Sequence, residues 1–112
     1  MDARAAYGSS VADAWVYMLR CRDGSLYTGW STDVRRRLER HRAGTASKYT
    51  ASRRPLELEL ALPMVDRSAA MREEARIKRL DRADKLALIA AHRASGEAGE
   101  HDGAPVAAPV RA

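Results

Sequence analysis

The dipeptide Asp23-Gly24 separates two short stretches rich in aromatic and β-branched residues, WVYMLRC over 15–21 and LYTGW over 26–30. That arrangement reads as a β-hairpin, and side-chain parity chooses its loop length. A two-residue loop would pair Arg22 with Ser25 and send Tyr17 and Tyr27 to opposite faces. A three-residue loop, Arg22-Asp23-Gly24, pairs Cys21 with Ser25, Leu19 with Tyr27 and Tyr17 with Gly29. Its third position needs a left-handed residue, and Gly24 supplies one. The three-residue version gathers Tyr17, Leu19, Tyr27 and Gly29 on one face. There, a glycine opposite a tyrosine leaves a pocket beside the ring.

The hairpin runs straight into a basic helix. Thr32 is the expected N-cap, with Asp33 favourable in the first turn. Val34 and Leu38 lie one turn apart and point at the sheet. Arg37 and His41 share the same spacing on the flank of that stripe, whereas Arg35, Arg36, Arg40 and Arg42 face water. Ala43-Gly44 closes the helix. A polar loop is expected over 45–54, then a half-buried strand in which Leu56, Leu58, Leu60 and Leu62 alternate with glutamates until Pro63 ends it. Asp66 or Ser68 caps the next helix, with Met71, Ala75, Ile77 and Leu80 as its apolar positions. Asp81 and Asp84 open a last helix carrying Leu86, Leu88 and Ile89. The order β-β-α-β-α-α defines an α/β (α+β) domain: a three-stranded sheet flanked by helices.

The chain's 112 residues hold one small domain. Segment 1–13 lacks periodicity, and 95–112 is small, Pro/Gly-punctuated and apolar only through Ala and Val, so both are expected to be disordered tails around a folded 14–94. The net charge of +5 is unevenly spread. Eight Arg and Lys between 31 and 54 face only Asp33 and Glu39, while 95–112 is net acidic. Such a basic face is the footprint of a polyanion partner, although an Arg-rich solvated surface produces the same count. The single Cys21 excludes an internal disulfide and a cysteine-rich metal site. With no cationic-then-apolar leader and no run of membrane-spanning length, a cytoplasmic protein with no membrane partner is the expectation.

Each notable residue also has an ordinary reading. Paired tyrosines on a hairpin commonly pack across strands. The Arg37 stem can cover apolar surface. Glu73 and Glu74 can pair along the helix, with Lys78 as one partner. Lys48, Tyr49, Arg53 and Arg54 form either a solvated loop or a nucleic-acid stacking site.

Together, however, these residues form a pattern. Val16-Tyr17, nine intervening residues, Tyr27-Thr28-Gly29, then Arg37 and His41 resemble the GIY-YIG endonuclease superfamily, in particular its small single-domain, YhbQ-like (UPF0213-type) proteins. LYTGWSTDVRRRLERH, SKYT at 47–50 and REEARIKRL at 72–80 support the resemblance, which covers roughly 15–90. The first motif lacks its nominal glycine, Thr28 replaces an isoleucine, and Trp30 stands where some members place a lysine. The resemblance implies an antiparallel three-stranded sheet and metal-dependent hydrolysis of DNA phosphodiesters. Tyr17, Tyr27, Arg37 and His41 match the catalytic positions, Gly29 the structural glycine, and Glu74, or Glu73 in the spacing of other branches, the ligand of one Mg2+ (or Mn2+) ion.

Phosphodiester hydrolysis needs a base near water, a cation against the phosphate and a metal to take up charge. In this reading one of Tyr17 and Tyr27 activates the water and the other orients it. Arg37 clamps the phosphate, and His41 either positions a tyrosine or is itself the base. Arg36, Arg40, Lys48, Tyr49 and Arg53 are the residues expected to meet nucleic acid, most simply DNA. With no second domain, recognition would rest on backbone charge and shape, or on a protein partner. The expected function is a structure-preferring DNA endonuclease of repair or processing; the alternative is a non-catalytic DNA- or RNA-binding module on the same scaffold.

Overall fold

The computed structural model describes residues 12–95. The two expected tails fall outside the described residues except at their inner ends, where the Asp13 amide donates to the Met64 carbonyl at 3.0 Å. Strand β1 (Ala14–Arg20) is central, flanked by β2 (Leu26–Ser31) and β3 (Glu57–Met64), and both pairings are antiparallel. Helices α1 (Val34–Ala43) and α2 (Lys48–Ala51) follow the hairpin. Helix α3 (Arg67–Lys78) and α4, over 82–95, follow β3.

The hairpin adopts the three-residue loop. Cys21 N donates to Ser25 O at 2.9 Å, Gly24 sits at φ 87°, and Tyr17 pairs with Gly29 and Leu19 with Tyr27. Almost every β1 side chain is buried because both faces of the central strand are covered. One face packs Tyr17, Leu19 and Cys21 against Val34, Leu38, Leu56 and Leu58; the other packs Ala14, Val16 and Met18 against Leu60, Ala70, Ile77 and Ile89. Each fully buried large side chain contributes about 1.5–3 kcal/mol, so the two half-cores hold the sheet from both sides.

β3 departs from simple alternation. Its register slips where Leu58 pairs with Leu19 and Leu60 pairs with Met18, leaving Glu59 as an extra, bulged residue. The bulge splits the expected single leucine face: Leu56 and Leu58 join Tyr17, while Leu60 and Leu62 join Met18. Glu59 is consequently buried, and Arg20 (2.8 Å) and Arg93 pair with its two oxygens. Pro63 stays within the strand, since β3 is a sheet edge and its missing amide removes no ladder bond there.

Local starts and stops also differ in places. Asp33, rather than Thr32, caps α1 by accepting from Arg36 N at 3.0 Å; Ser31 Oγ accepts from Asp33 N and so shapes the turn into that cap. The stretch over 45–54 is not an extended loop, because Ser47 caps the short α2 inside it. On α3 the buried positions are Ala70 and Ile77, while Met71 and Ala75 face solvent. Asp66 and Asp81 cap α3 and α4 through the Ala69 and Asp84 amides.

Candidate active site

The site grows from the Tyr17–Gly29 pair. A side chain at position 29 would place its Cβ 2.6 Å from the Tyr17 hydroxyl and 2.7 Å from Cζ. The Tyr17 ring therefore lies across the glycine itself, occupying the space expected to remain as a pocket beside it. Its hydroxyl meets His41 Nε2 at 2.8 Å. His41 is 1 % exposed, much deeper than a flank position, because α1 crosses the hairpin face with Val34, Leu38 and His41 all turned inward.

The other nitrogen of His41 is also engaged. Nδ1 lies 2.8 Å from Thr50 Oγ1, and Thr50 is fully buried. Ser47 accepts the Thr50 amide at 3.1 Å, and its own hydroxyl lies 2.9 Å from Thr50 Oγ1. In the sequence, SKYT at 47–50 supports the resemblance but gives Ser47 and Thr50 no role in the site. The available signal was the Ser-x-x-Thr spacing of SKYT, which forms an N-capped turn on what reads as a polar loop.

Burial dominates the electrostatics. Tyr17 is pushed from 10.0 up to about 12 mainly by desolvation, with Tyr27 and Glu74 adding to the rise and Arg37 opposing it. His41 is pulled from 6.5 down to about 4, first by burial and then by the charges of Arg37 and Arg40. At neutral pH the pair is thus a phenol and a neutral imidazole.

Tyr27 is half-buried, its ring edge-on to His41 at 5.2 Å and stacked on Tyr49 at 5.9 Å. The Arg53 guanidinium lies 3.7 Å above the Tyr49 ring, held by Asp23 (3.1 Å) and the Tyr49 carbonyl (3.0 Å). Tyr49 therefore carries Tyr27 and Arg53 against its ring while remaining 39% exposed. Arg37 is half-buried on α1 at the rim of Tyr17, with Nη1 3.4 Å from the Trp30 carbonyl. Arg36, Arg40 and Lys48 are exposed on the same side of the chain's fold as α1 and α2.

The two glutamates of α3 separate clearly. Both Glu73 oxygens are taken by Arg76, at 2.9 and 2.6 Å. Glu74 meets Lys78 through one oxygen at 3.3 Å, and its charge acts on Tyr17. A half-buried carboxylate with one oxygen not held by Lys78 fits a hard cation that keeps most of its waters. Among the described residues no group of three or more His, Cys, Asp or Glu could hold a metal on its own.

A hairpin tyrosine laid over a glycine, a buried histidine bonded to its hydroxyl and an arginine at its rim make up the candidate site. A family model described as the GIY-YIG catalytic domain matches residues 13–87. A UPF0213 protein of Oceanobacillus iheyensis is 48% identical over 75 residues, covering 67% of this chain and 87% of the relative. A UPF0213 protein of Halobacterium salinarum is 49% identical over 74 residues, covering 66% and 96%. The solution NMR structure of a UPF0213 protein from Bacillus halodurans is 42% identical, with a TM-score of 0.47, over 69% of this chain and 82% of that one. The chain belongs to the GIY-YIG family and, within it, groups with the UPF0213 proteins, so it carries a nuclease-type domain. No helix among the described residues is long and apolar enough to cross a membrane.

Proposed function

We propose that this protein is a divalent-metal-dependent DNA endonuclease that hydrolyses phosphodiester bonds and selects DNA by structure rather than sequence, in repair or processing. The observation that carries this reading is the buried Tyr17–His41 hydrogen bond, with Arg37 at the rim of Tyr17 and the Glu74 charge acting on the phenol. A binding module would not need a desolvated phenol and imidazole beside a carboxylate, since isolated burial of such groups costs stability.

Tyr17 and His41 act as a unit. With the phenol raised to about 12 and the imidazole lowered to about 4, Tyr17 keeps its proton at neutral pH and His41 is unprotonated but a weak base. The Tyr17 oxygen instead takes a proton from the attacking water as its own proton passes to His41 Nε2, so no free tyrosinate forms. Tyr27, which is more accessible, orients that water. Arg37 donates to the non-bridging oxygens and meets the charge that grows on phosphorus. Glu74 would hold the metal, one Mg2+ or Mn2+, and when bound that ion would supply charge neutralisation at the phosphate. Arg36, Arg40 and Lys48 hold the flanking backbone phosphates, and Arg53 steadies Tyr49 and, through it, Tyr27.

The test is cleavage of labelled single-stranded, duplex, flap and nicked DNAs with Mg2+ or Mn2+, beside Tyr17→Phe and Glu74→Ala. Metal-dependent cutting lost in both variants is the expected result. Salt-sensitive binding without cutting in either metal would instead assign the protein to the binding-module class.

A further inference from the structure

We propose that Thr50, held in place by Ser47, is a positioning residue that fixes which nitrogen of His41 carries the proton, and thereby aims the Tyr17 hydroxyl. The proposal concerns this chain's SKYT turn and, for its catalytic consequence, rests on the nuclease reading.

The hydrogen-bond distances fit either tautomer of His41, and one direction gives the Tyr17 proton an acceptor within the site. A neutral imidazole has one N–H and one lone pair. The Tyr17 hydroxyl keeps its proton, and the neighbouring Arg37 guanidinium has only donors to offer. The Tyr17 proton therefore has His41 Nε2, at 2.8 Å, as its acceptor. Nδ1 then bears the imidazole proton and donates it to Thr50 Oγ1 at 2.8 Å. Thr50 has a single proton left to give, and Ser47 takes it, through its hydroxyl at 2.9 Å or its carbonyl at 3.5 Å. Donation thus runs outward-in from Tyr17 to His41 to Thr50 to Ser47.

Two features make Thr50 more than a packing residue. It is completely buried and spends its side chain on an imidazole nine residues away in sequence. Its own position is over-determined, because Ser47 caps the turn through the Thr50 amide and also meets the Thr50 hydroxyl. Short α2 therefore acts as a rigid bracket for His41. Without the acceptor at Oγ1, a buried Nδ1–H would stand unpaired and desolvated, which is unfavourable. The imidazole would escape it by moving its proton to Nε2, which would then donate to the Tyr17 oxygen. That reverses the hydrogen bond on which proton transfer from Tyr17 depends.

The direct test is 15N-detected NMR of the imidazole nitrogens in the full-length protein at pH 7, with His41 signals assigned by their loss in His41→Gln. The expected wild-type pattern is the Nδ1–H tautomer; Thr50→Val should invert it to Nε2–H, and Thr50→Ser should restore it. A wild-type Nε2–H tautomer, or a Thr50→Val protein whose His41 stays Nδ1–H, would overturn the assignment. Ser47→Ala serves should Thr50→Val fail to fold, and is expected to give a mixture of tautomers; an unchanged pure Nδ1–H state there would remove Ser47 from the chain of donation. On a DNA that the wild type cuts, Thr50→Val should lower kcat about 10- to 100-fold with little change in KM, and Thr50→Ser should recover most of it. The tautomer is read without catalysis, so absence of cleavage in the wild type would count against the nuclease reading alone.

Discussion

Tyr17 lies directly over Gly29, its hydroxyl 2.6 Å from where a Cβ at position 29 would be. The close approach is possible only because the strand opposite offers bare backbone, and it delivers the phenol to His41. Glycine's role here is spatial, since its φ is not in the left-handed region that Gly24 and Gly44 occupy. Gly29→Ala is expected to push the ring aside, destabilise the fold by about 1–3 kcal/mol and break the Tyr17–His41 hydrogen bond. Urea denaturation, together with the His41 imidazole signals, measures both effects.

The depressed pKa of His41 makes stability fall in acid. In the unfolded chain the imidazole protonates near 6.5, whereas in the folded protein it resists until about 4. Between those values the unfolded state binds more protons, so folding weakens as pH drops from about 6.5 towards 4 and the contribution levels off below. The full shift corresponds to a loss of up to about 3 kcal/mol. His92, lowered by burial and Arg93, and the carboxylates Asp23 and Glu73 change stability in the same direction. Comparing denaturation of wild type and His41→Gln at pH 7 and pH 4.5 isolates the His41 part, which should appear as a steeper pH slope in wild type.

Arg37 and the outer arginines should separate cleanly in kinetics. Arg37 sits half-buried beside Tyr17, while Arg36 and Arg40 project from the exposed face of α1. Arg37→Ala is expected to lower the single-turnover cleavage rate by about 10²–10³-fold while retaining most DNA affinity. Arg36→Ala with Arg40→Ala should weaken binding and reduce the salt dependence by roughly one phosphate contact each, leaving the rate at saturating DNA nearly unchanged. Equal effects of both on affinity alone would remove Arg37 from the chemistry.

Glu59 ties β3 to β1 and to α4 at a distance from the site. It is buried in the bulge with Arg20 and Arg93 on its two oxygens. Removing the carboxylate leaves two arginines that are partly exposed and can rehydrate, so Glu59→Ala should cost about 2–4 kcal/mol rather than abolish folding. Thermal unfolding should show that loss, with the His41 tautomer unaltered where the protein remains folded.

The fold was largely legible before any coordinates. Asp23-Gly24, the parity of Tyr17 and Tyr27, and the one-turn spacing of Val34 and Leu38 are local signals, and local signals specify strands, turns and helix faces. The elements misread were those where a non-local contact outweighs the pattern. The leucines of β3 alternate perfectly in sequence, yet the bulge at Glu59 divides them because Arg20 and Arg93 provide a buried place for its charge. The 45–54 segment reads as loop by composition; Ser47 caps a short turn within it, and the packing of that turn against α1 buries Thr50 against His41.

By itself, then, the sequence determined the hairpin register and the basic helix that follows it, while the family resemblance joined Arg37 and His41 to Tyr17, Tyr27 and Gly29. Backbone periodicity and turn chemistry act over a few residues and can be read there. Tertiary structure alone decided that His41 is buried rather than marginal, that Glu74 rather than Glu73 keeps an oxygen free of Arg76, and that Thr50 stands behind the histidine. Those choices depend on desolvation and on hydrogen-bond partners brought from three separate elements, α1, α2 and α3. Distances between such partners do not exist until the chain has packed.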